Sequence, residues 1–250
     1  MKKNYNFLMS FALVAMLSAG FVSCGDDDEK DDEKDDGVDT TPISLFAGKD
    51  KVIEGADTIS SSNKFVAYGT KNAVHAWHVG EAALMVNGKQ TISISVLPLY
   101  LLYDDPVCKW GCSIDYVKKN QKQGTINSKS TSELLAYDNA GGATLLAYQF
   151  KDGKLSAIMA IVSTNHTSTL ADYLGERFLI LPYYEGEKQY YIGMDGLDRE
   201  TANSMVMMEL YDTSAWSVLY IDASSSSKAR SGEIDFDTKK KLARKLVQFL

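Results

Sequence analysis

Histidine is scarce in this chain, with three in 250 residues, and cysteine is equally rare. Imidazole is the usual general base and the commonest protein ligand for transition metals, so its scarcity narrows the chemistry at once. His75 and His78 are the obvious pair, with His166 distant in sequence. Residues three apart in a strand point to opposite faces, so these two cannot close on one ion without a bulge. No metal site and no cofactor are expected. A Ser or Cys nucleophile would need a base within hydrogen-bond reach. There is no Gly-x-Ser-x-Gly elbow, no P-loop, no dinucleotide fingerprint and no His-Glu-x-x-His. The chain therefore reads as a non-enzyme. Converging carboxylates leave a hydrolase as a minor alternative. Against it, Asp195, Asp198, Glu200 and Asp212 sit among turn-forming residues, where Asp ordinarily serves the backbone.

An excess of basic charge is also lacking. The formal net charge is -7, but ten acids and two lysines fall within residues 25–40. Residues 41–250 carry 23 acids and 22 bases and are nearly neutral. No positive field exists to neutralise phosphates, so nucleic acid is not an expected partner. With 45% apolar and 10% aromatic residues, the bulk of the chain has the makings of a packed core.

No apolar run is long enough to span a bilayer. Residues 7–22 are the nearest, broken only by Ser10, Ser18 and Gly20. As a helix they would rise about 24 Å, short of the ~30 Å hydrocarbon core. Lys2 and Lys3 precede the run, and small residues and Cys24 follow it, the layout of a processing signal over residues 1–23. Phe21-Val22-Ser23-Cys24 resembles the lipobox of bacterial lipoprotein precursors, with Phe21 in place of the usual Leu. The resemblance implies cleavage before Cys24 and lipid on its sulfur. Several acyl chains together would hold the protein stably on a membrane. Residues 24–41 then form an acidic tether that repels itself and cannot collapse. Asp26, Asp27 and Asp28 resemble the acidic export tag of Bacteroidetes surface lipoproteins. This implies an outer-membrane protein at the cell surface; a periplasm-facing, structural lipoprotein of an envelope assembly is the alternative.

Beyond the lipobox, Cys108 and Cys112 are separated by Lys-Trp-Gly. The spacing is neither the redox C-x-x-C nor half of a zinc site, and it leaves open a short-loop disulfide or two buried thiols.

The fold class expected is mainly β with an α+β part. Residues 42–98 read as short strands ending at Gly, Asn or Pro: ISLFAG, KVIEG, NKFVAYG, NAVHAWHVG, EAALMVNG and QTISISVLP. A small β-sandwich follows, with Val66, Val74, Ala76 and Val79 inward and His75 and Trp77 on the opposite face. The series Ser62-Asn63, Val66-Ala67, Asn72-x-Val74-x-Ala76, Gly80-Glu81-Ala82 and Ile94-Ser95-Val96 resembles bacterial Ig-like group 2 domains. Ala73 stands at the usual turn Gly, and Ile59 where the family carries a strand Trp.

Residues 105–222 change character. Ser113 is placed to cap a helix to about Gln121, with Asp115 in its first turn, and four strand-like segments follow. Asp152-Gly153 between β-rich runs signals a hairpin. Thr167 or Ser168 is placed to cap a second helix carrying Leu170, Leu174 and Phe178, and four more strand-like segments follow. Residues 113–163 and 167–222 thus read as two copies of a helix plus four antiparallel strands. This order, with Trp110-Gly111-x-Ser113-x-x-x-Val117, resembles tandem β-lactamase-inhibitor-like domains of Bacteroidetes lipoproteins, which implies a protein-binding or accessory role and no catalytic residues. Residues 223–236 are a Ser-rich linker. Residues 237–250 form an amphipathic helix, with Leu242, Leu246, Val247 and Leu250 on one face, expected to dock on its own domain.

Two further features bear on partners. Tyr183-Tyr184 and Tyr190-Tyr191 flank a Glu-Gly-Glu turn, so one of each pair faces outward. Trp77, Tyr184, Tyr190 and Trp216 are the candidates for stacking on a sugar or a peptide, although cross-strand aromatic pairs also stabilise sheets with no ligand. Asp39-Thr40-Thr41 and Asp57-Thr58-Ile59 resemble Bacteroidetes O-glycosylation sites at Thr40 and Thr58.

Overall fold

The computed structural model describes residues 37–185 and 188–224, all within one compact unit and mainly β. The acidic tract, Cys24, Asp26, Asp27, Asp28 and residues 225–250 lie outside the described residues.

Seven strands occupy the first stretch: β1 (Ile43–Phe46), β2 (Asp50–Val52), β3 (Ile59–Ser61), β4 (Ala67–Thr70), β5 (Ala73–Ala76), β6 (Gly80–Val86) and β7 (Gln90–Leu97). They form a four-stranded sheet in the order β1-β7-β6-β3 and a three-stranded sheet in the order β2-β5-β4. Strand β1 runs parallel to β7, and the other pairings are antiparallel. Alternation sets the register. On β7, Ile92, Ile94 and Val96 are buried while Thr91 and Ser93 face water. Asn87 and Gly88, both at positive φ, make the tight turn into β7. Val66, Val74 and Ala76 are buried as the alternation requires, and Val79 is only half-buried. A seventh strand, β3, was not visible as a run of its own. Its short Ile-Ser-Ser segment pairs with β6 and lies against Gly69 of the other sheet. A Cβ at Gly69 would come within 2.2 Å of the Ile59 carbonyl oxygen, so only glycine lets the two sheets approach there.

The second stretch opens with α1 (Ile114–Asn120), whose N-cap Ser113 accepts a hydrogen bond from Tyr116 N at 3.3 Å. Strands β8 (Thr125–Ile126), β9 (Leu134–Ala140), β10 (Ala143–Lys151) and β11 (Lys154–Ser163) follow as a meander. Asp152 and Gly153 turn the β10–β11 hairpin, both at positive φ. Helix α2 (Thr167–Gly175) then leads into β12 (Leu179–Glu185), β13 (Lys188–Met194), β14 (Ser204–Leu210) and β15 (Ala215–Asp222). Neither Thr167 nor Ser168 caps α2. The chain enters through a 3₁₀ turn, Thr164–His166, capped by Ser163, and Thr167 is already helical. Its hydroxyl donates to Thr164 O at 2.6 Å, continuing the turn into the helix.

The two meanders join edge to edge. Strands β11 and β15 pair antiparallel, giving one eight-stranded sheet in the order β12-β13-β14-β15-β11-β10-β9-β8. One face packs on both helices through Val117, Leu170, Tyr173 and Leu174, with Tyr148, Ile158 and Tyr220 from the strands. The other face has its own buried cluster, built around Leu145, Met159, Met207 and Leu219.

Candidate functional site

Ionisable side chains concentrate at the end of α2. Glu176 and Arg177 are both buried. Two constraints place them there: α2 turns Leu170, Tyr173 and Leu174 onto the sheet, and the next residues must leave the helix beside the connection from β7. The Glu176 carboxylate accepts from Leu99 N at 3.0 Å and Tyr100 N at 3.0 Å, and its backbone oxygen accepts from Val79 N at 2.7 Å. Arg177 donates through Nε to Asp105 and through its terminal nitrogen to Tyr173 O at 3.0 Å, and its guanidinium lies 3.9 Å over the Tyr173 ring. Tyr173 donates to Asp105 at 2.9 Å, and the Tyr103 and Tyr220 hydroxyls are 2.5 Å apart. Burial works to lower the Arg177 pKa, but Asp105 and the neighbouring tyrosines outweigh it and hold the guanidinium charged. Burial pushes the Tyr103, Tyr173 and Tyr220 hydroxyls well above the ordinary tyrosine value. This network bolts the β1–β7 region to the large sheet. Every group in it is engaged by a neighbour, and it offers no free nucleophile or acid–base pair. Sequence reasoning missed it; the one available signal was a Glu-Arg pair set directly behind an apolar helix stripe.

The candidate stacking residues do not converge. Trp77 is half-buried among Phe65, Tyr68 and His78, with ring centroids 4.5–6.2 Å away. Trp216 is half-buried on β15 and donates Nε1 to Thr167 Oγ1 at 2.8 Å. Tyr190 corrects the sequence reading: it is 3% exposed, because the pleat of β13 turns it into the second sheet cluster with Met205 and Met207. Tyr184 alone is open, at 63% exposure on β12. Exposed apolar side chains flank it along the same strand. Strand β12 ends the eight-stranded sheet, and Leu181 and Tyr183 on one face and Tyr184 on the other are all exposed. Neither tyrosine of this pair is core, contrary to the one-in, one-out expectation, because the sheet ends here. Pro182 sits in the middle of the strand, a residue that edge strands tolerate and central ones do not. At the far end of the sheet, α1 and β8 flank an open cleft of about 590 Å³, with Ile114, Ile126 and Leu135 beside Ser130, Thr131 and Ser132.

The polar candidates have local duties. Cys108 and Cys112 are free thiols. Burial, then the Asp195 and Asp105 charges, push Cys108 up to about 12, and burial raises Cys112 as well. Neither is an activated nucleophile. Cys108 helps line a cleft with Lys109, Trp110 and Asn203, where Trp110 Nε1 donates to Ser204 Oγ at 3.2 Å. Asp195 accepts from Asn203 N and Ser204 N, Asp198 from Glu200 N and Thr201 N, and Asp212 from Ser214 N. Hydrogen bonds from the Thr201 and Ser214 side chains and backbone hold Asp198 and Asp212 below the usual carboxylate value. These are turn carboxylates. His75 pairs with Asp50 at 2.7 Å, and His78 is buried, stacked on Phe65 and bonded to its carbonyl at 2.8 Å. Among the described residues no group of three His, Cys, Asp or Glu is placed to hold a metal, and no helix is long and apolar enough to cross a membrane. Thr40 and Thr58 are exposed. Compared with models of protein families, with curated proteins and with solved structures, the chain matches none.

Proposed function

We propose that this chain is a lipid-anchored surface lipoprotein acting as a non-enzymatic binding module for a protein or glycan. The observation that carries the binding reading is that edge strand β12 exposes large apolar side chains on both faces, Leu181 and Tyr183 on one and Tyr184 on the other. Large apolar and aromatic side chains beside an open strand edge favour partner docking, because side-chain burial and main-chain pairing can then act together. Anchoring rests on the lipobox at Cys24 and surface display on Asp26, Asp27 and Asp28. Residues 42–98 act as an Ig-like stalk, a reading supported by two small sheets around one core. Residues 105–222 are the β-lactamase-inhibitor-like module, supported by the repeated order of helix and four strands.

The test is a glycan and protein binding screen on the purified protein, followed by Leu181→Ser with Tyr184→Ser. Both side chains are exposed, so the double variant should melt like the parent, within about 0.5 kcal/mol per site. Binding should weaken by about tenfold or more. A ligand retained at full affinity would move the site away from β12. Protease shaving of intact cells and mass spectrometry of the N-terminal peptide check display and the thioether on Cys24.

A further inference from the structure

We propose that the outer face of the three-stranded sheet β2-β5-β4 is a carbohydrate site, holding a neutral pyranose chain in a corner made by Tyr68 and Trp77, with His75 and Asp50 as its hydrogen-bonding edge. The site is separate from strand β12 and does not depend on it. Register assembles it. The two-residue turn Lys71–Asn72 joins β4 to β5 and sets Tyr68 opposite His75, and His75 in turn lies opposite Asp50 of β2. Val74 and Ala76 are buried, so the pleat turns His75 outward, and its cross-strand partners Tyr68 and Asp50 with it. One row therefore crosses all three strands, two strand spacings or about 10 Å from end to end.

Trp77 extends the row past the end of β5. Its ring stands perpendicular to that of Tyr68, with centroids 5.9 Å apart, and Tyr68 lies 5.0 Å from the His75 ring. Buried Phe65 and His78 hold the indole at centroid distances of 6.2 and 4.5 Å. The corner is thus set in advance, and a ligand need not order it. Tyr68 and Trp77 are half-buried and keep some surface in water, and the Asp50 side chain is 70% exposed. A carboxylate only accepts, so His75 Nδ1 donates the 2.7 Å bond to Asp50, and Nε2 of the neutral ring is left as an acceptor. Among the described residues, that Nε2, the second Asp50 oxygen, the Tyr68 hydroxyl and Trp77 Nε1 have no hydrogen-bond partner. A pyranose matches this set. Its C–H face lies on one ring, its edge meets the other, and its rim hydroxyls supply both donors and acceptors. A nucleobase would also stack, but the Asp50 carboxylate repels its phosphates, and acidic sugars for the same reason.

Calorimetric titration of the purified full chain with cellohexaose and with mannohexaose tests this. At least one should bind saturably and shift the tryptophan emission, and a galacturonic acid hexamer should bind more weakly than either. Trp77→Leu should abolish the emission shift and weaken binding by about tenfold or more. Because that change also disturbs the packing on Phe65 and His78, its melting temperature is measured beside it, and the exposed Asp50→Ala provides a variant that leaves the core untouched. Asp50→Ala should weaken binding by about tenfold, as expected for a lost hydrogen bond to a charged group. Leu181→Ser with Tyr184→Ser should leave sugar binding unchanged. No saturable binding of either neutral chain, binding of the acidic hexamer as tight as theirs, or full affinity in folded Asp50→Ala overturns the proposal. So does loss of sugar binding in the β12 variant, which would put the sugar on that strand instead.

Discussion

At the scale of single residues, the described part of the molecule hides its reactive groups. His78 is an example. Burial lowers its pKa from 6.5, against a smaller raising effect of the Phe65 carbonyl. The folded state thus holds a neutral ring where the unfolded chain would take up a proton. As pH falls through 6.5 toward the depressed folded value, the unfolded state binds more protons and stability is lost. Urea denaturation at pH 7.5, 6.5 and 5.5 should show this loss, and His78→Asn should reduce the slope across that window. A second residue-scale prediction concerns Arg177. Removing its charge strands Asp105 and Glu176 together. A fully buried pair would cost about 3–5 kcal/mol to break. Asp105 is 56% exposed and keeps much of its hydration, so Arg177→Met should cost about 2 kcal/mol by chemical denaturation.

At the scale of elements, close approaches decide which substitutions are tolerated. Gly69→Ala would set a Cβ against the Ile59 backbone, and backbone cannot rotate away. The β3 and β4 strands would have to part, so we expect a loss of about 2 kcal/mol or more, read as a lower melting temperature. Gly175, in the last turn of α2, has nothing within 4 Å of its would-be Cβ. Gly175→Ala should instead raise stability by about 0.5–1 kcal/mol by removing freedom from the unfolded chain. Element boundaries divide the same way. Strand β7 could be read from alternation, and the strands of residues 134–163 from apolar runs punctuated by Asp152-Gly153, because those signals are local. The start of α2 could not, because Ser163 caps a preceding 3₁₀ turn and Thr167 is drawn into the helix. Pro182 within an apolar run is a local signal for an edge strand, and β12 does end the sheet.

For the whole molecule, Cys108 reports on the environment of the helix-side core. Its sulfur sits against the helix-side core, with its pKa pushed up to about 12 by burial first. Both thiols are partly exposed, so thiol labelling at pH 8, followed peptide by peptide by mass spectrometry, should modify Cys112 readily in the native state. Cys108 should react more slowly, because its raised pKa leaves far less thiolate at pH 8, and denaturant should speed it as the surrounding core opens. Equal rates would mean that the connection before α1 opens locally. The sequence by itself determined the alternation of strands, the tight turns, the Ser113 cap and the repeated order of helix and strands, since each depends on residues a few positions apart. Tertiary structure alone decided that β11 pairs β15, that Tyr190 is core while Tyr184 is surface, and that Glu176 fastens Leu99 and Tyr100. Those outcomes depend on which distant segment arrives alongside. A buried carboxylate or an inward tyrosine is set by the partner it meets, and that partner lies tens of residues away along the chain.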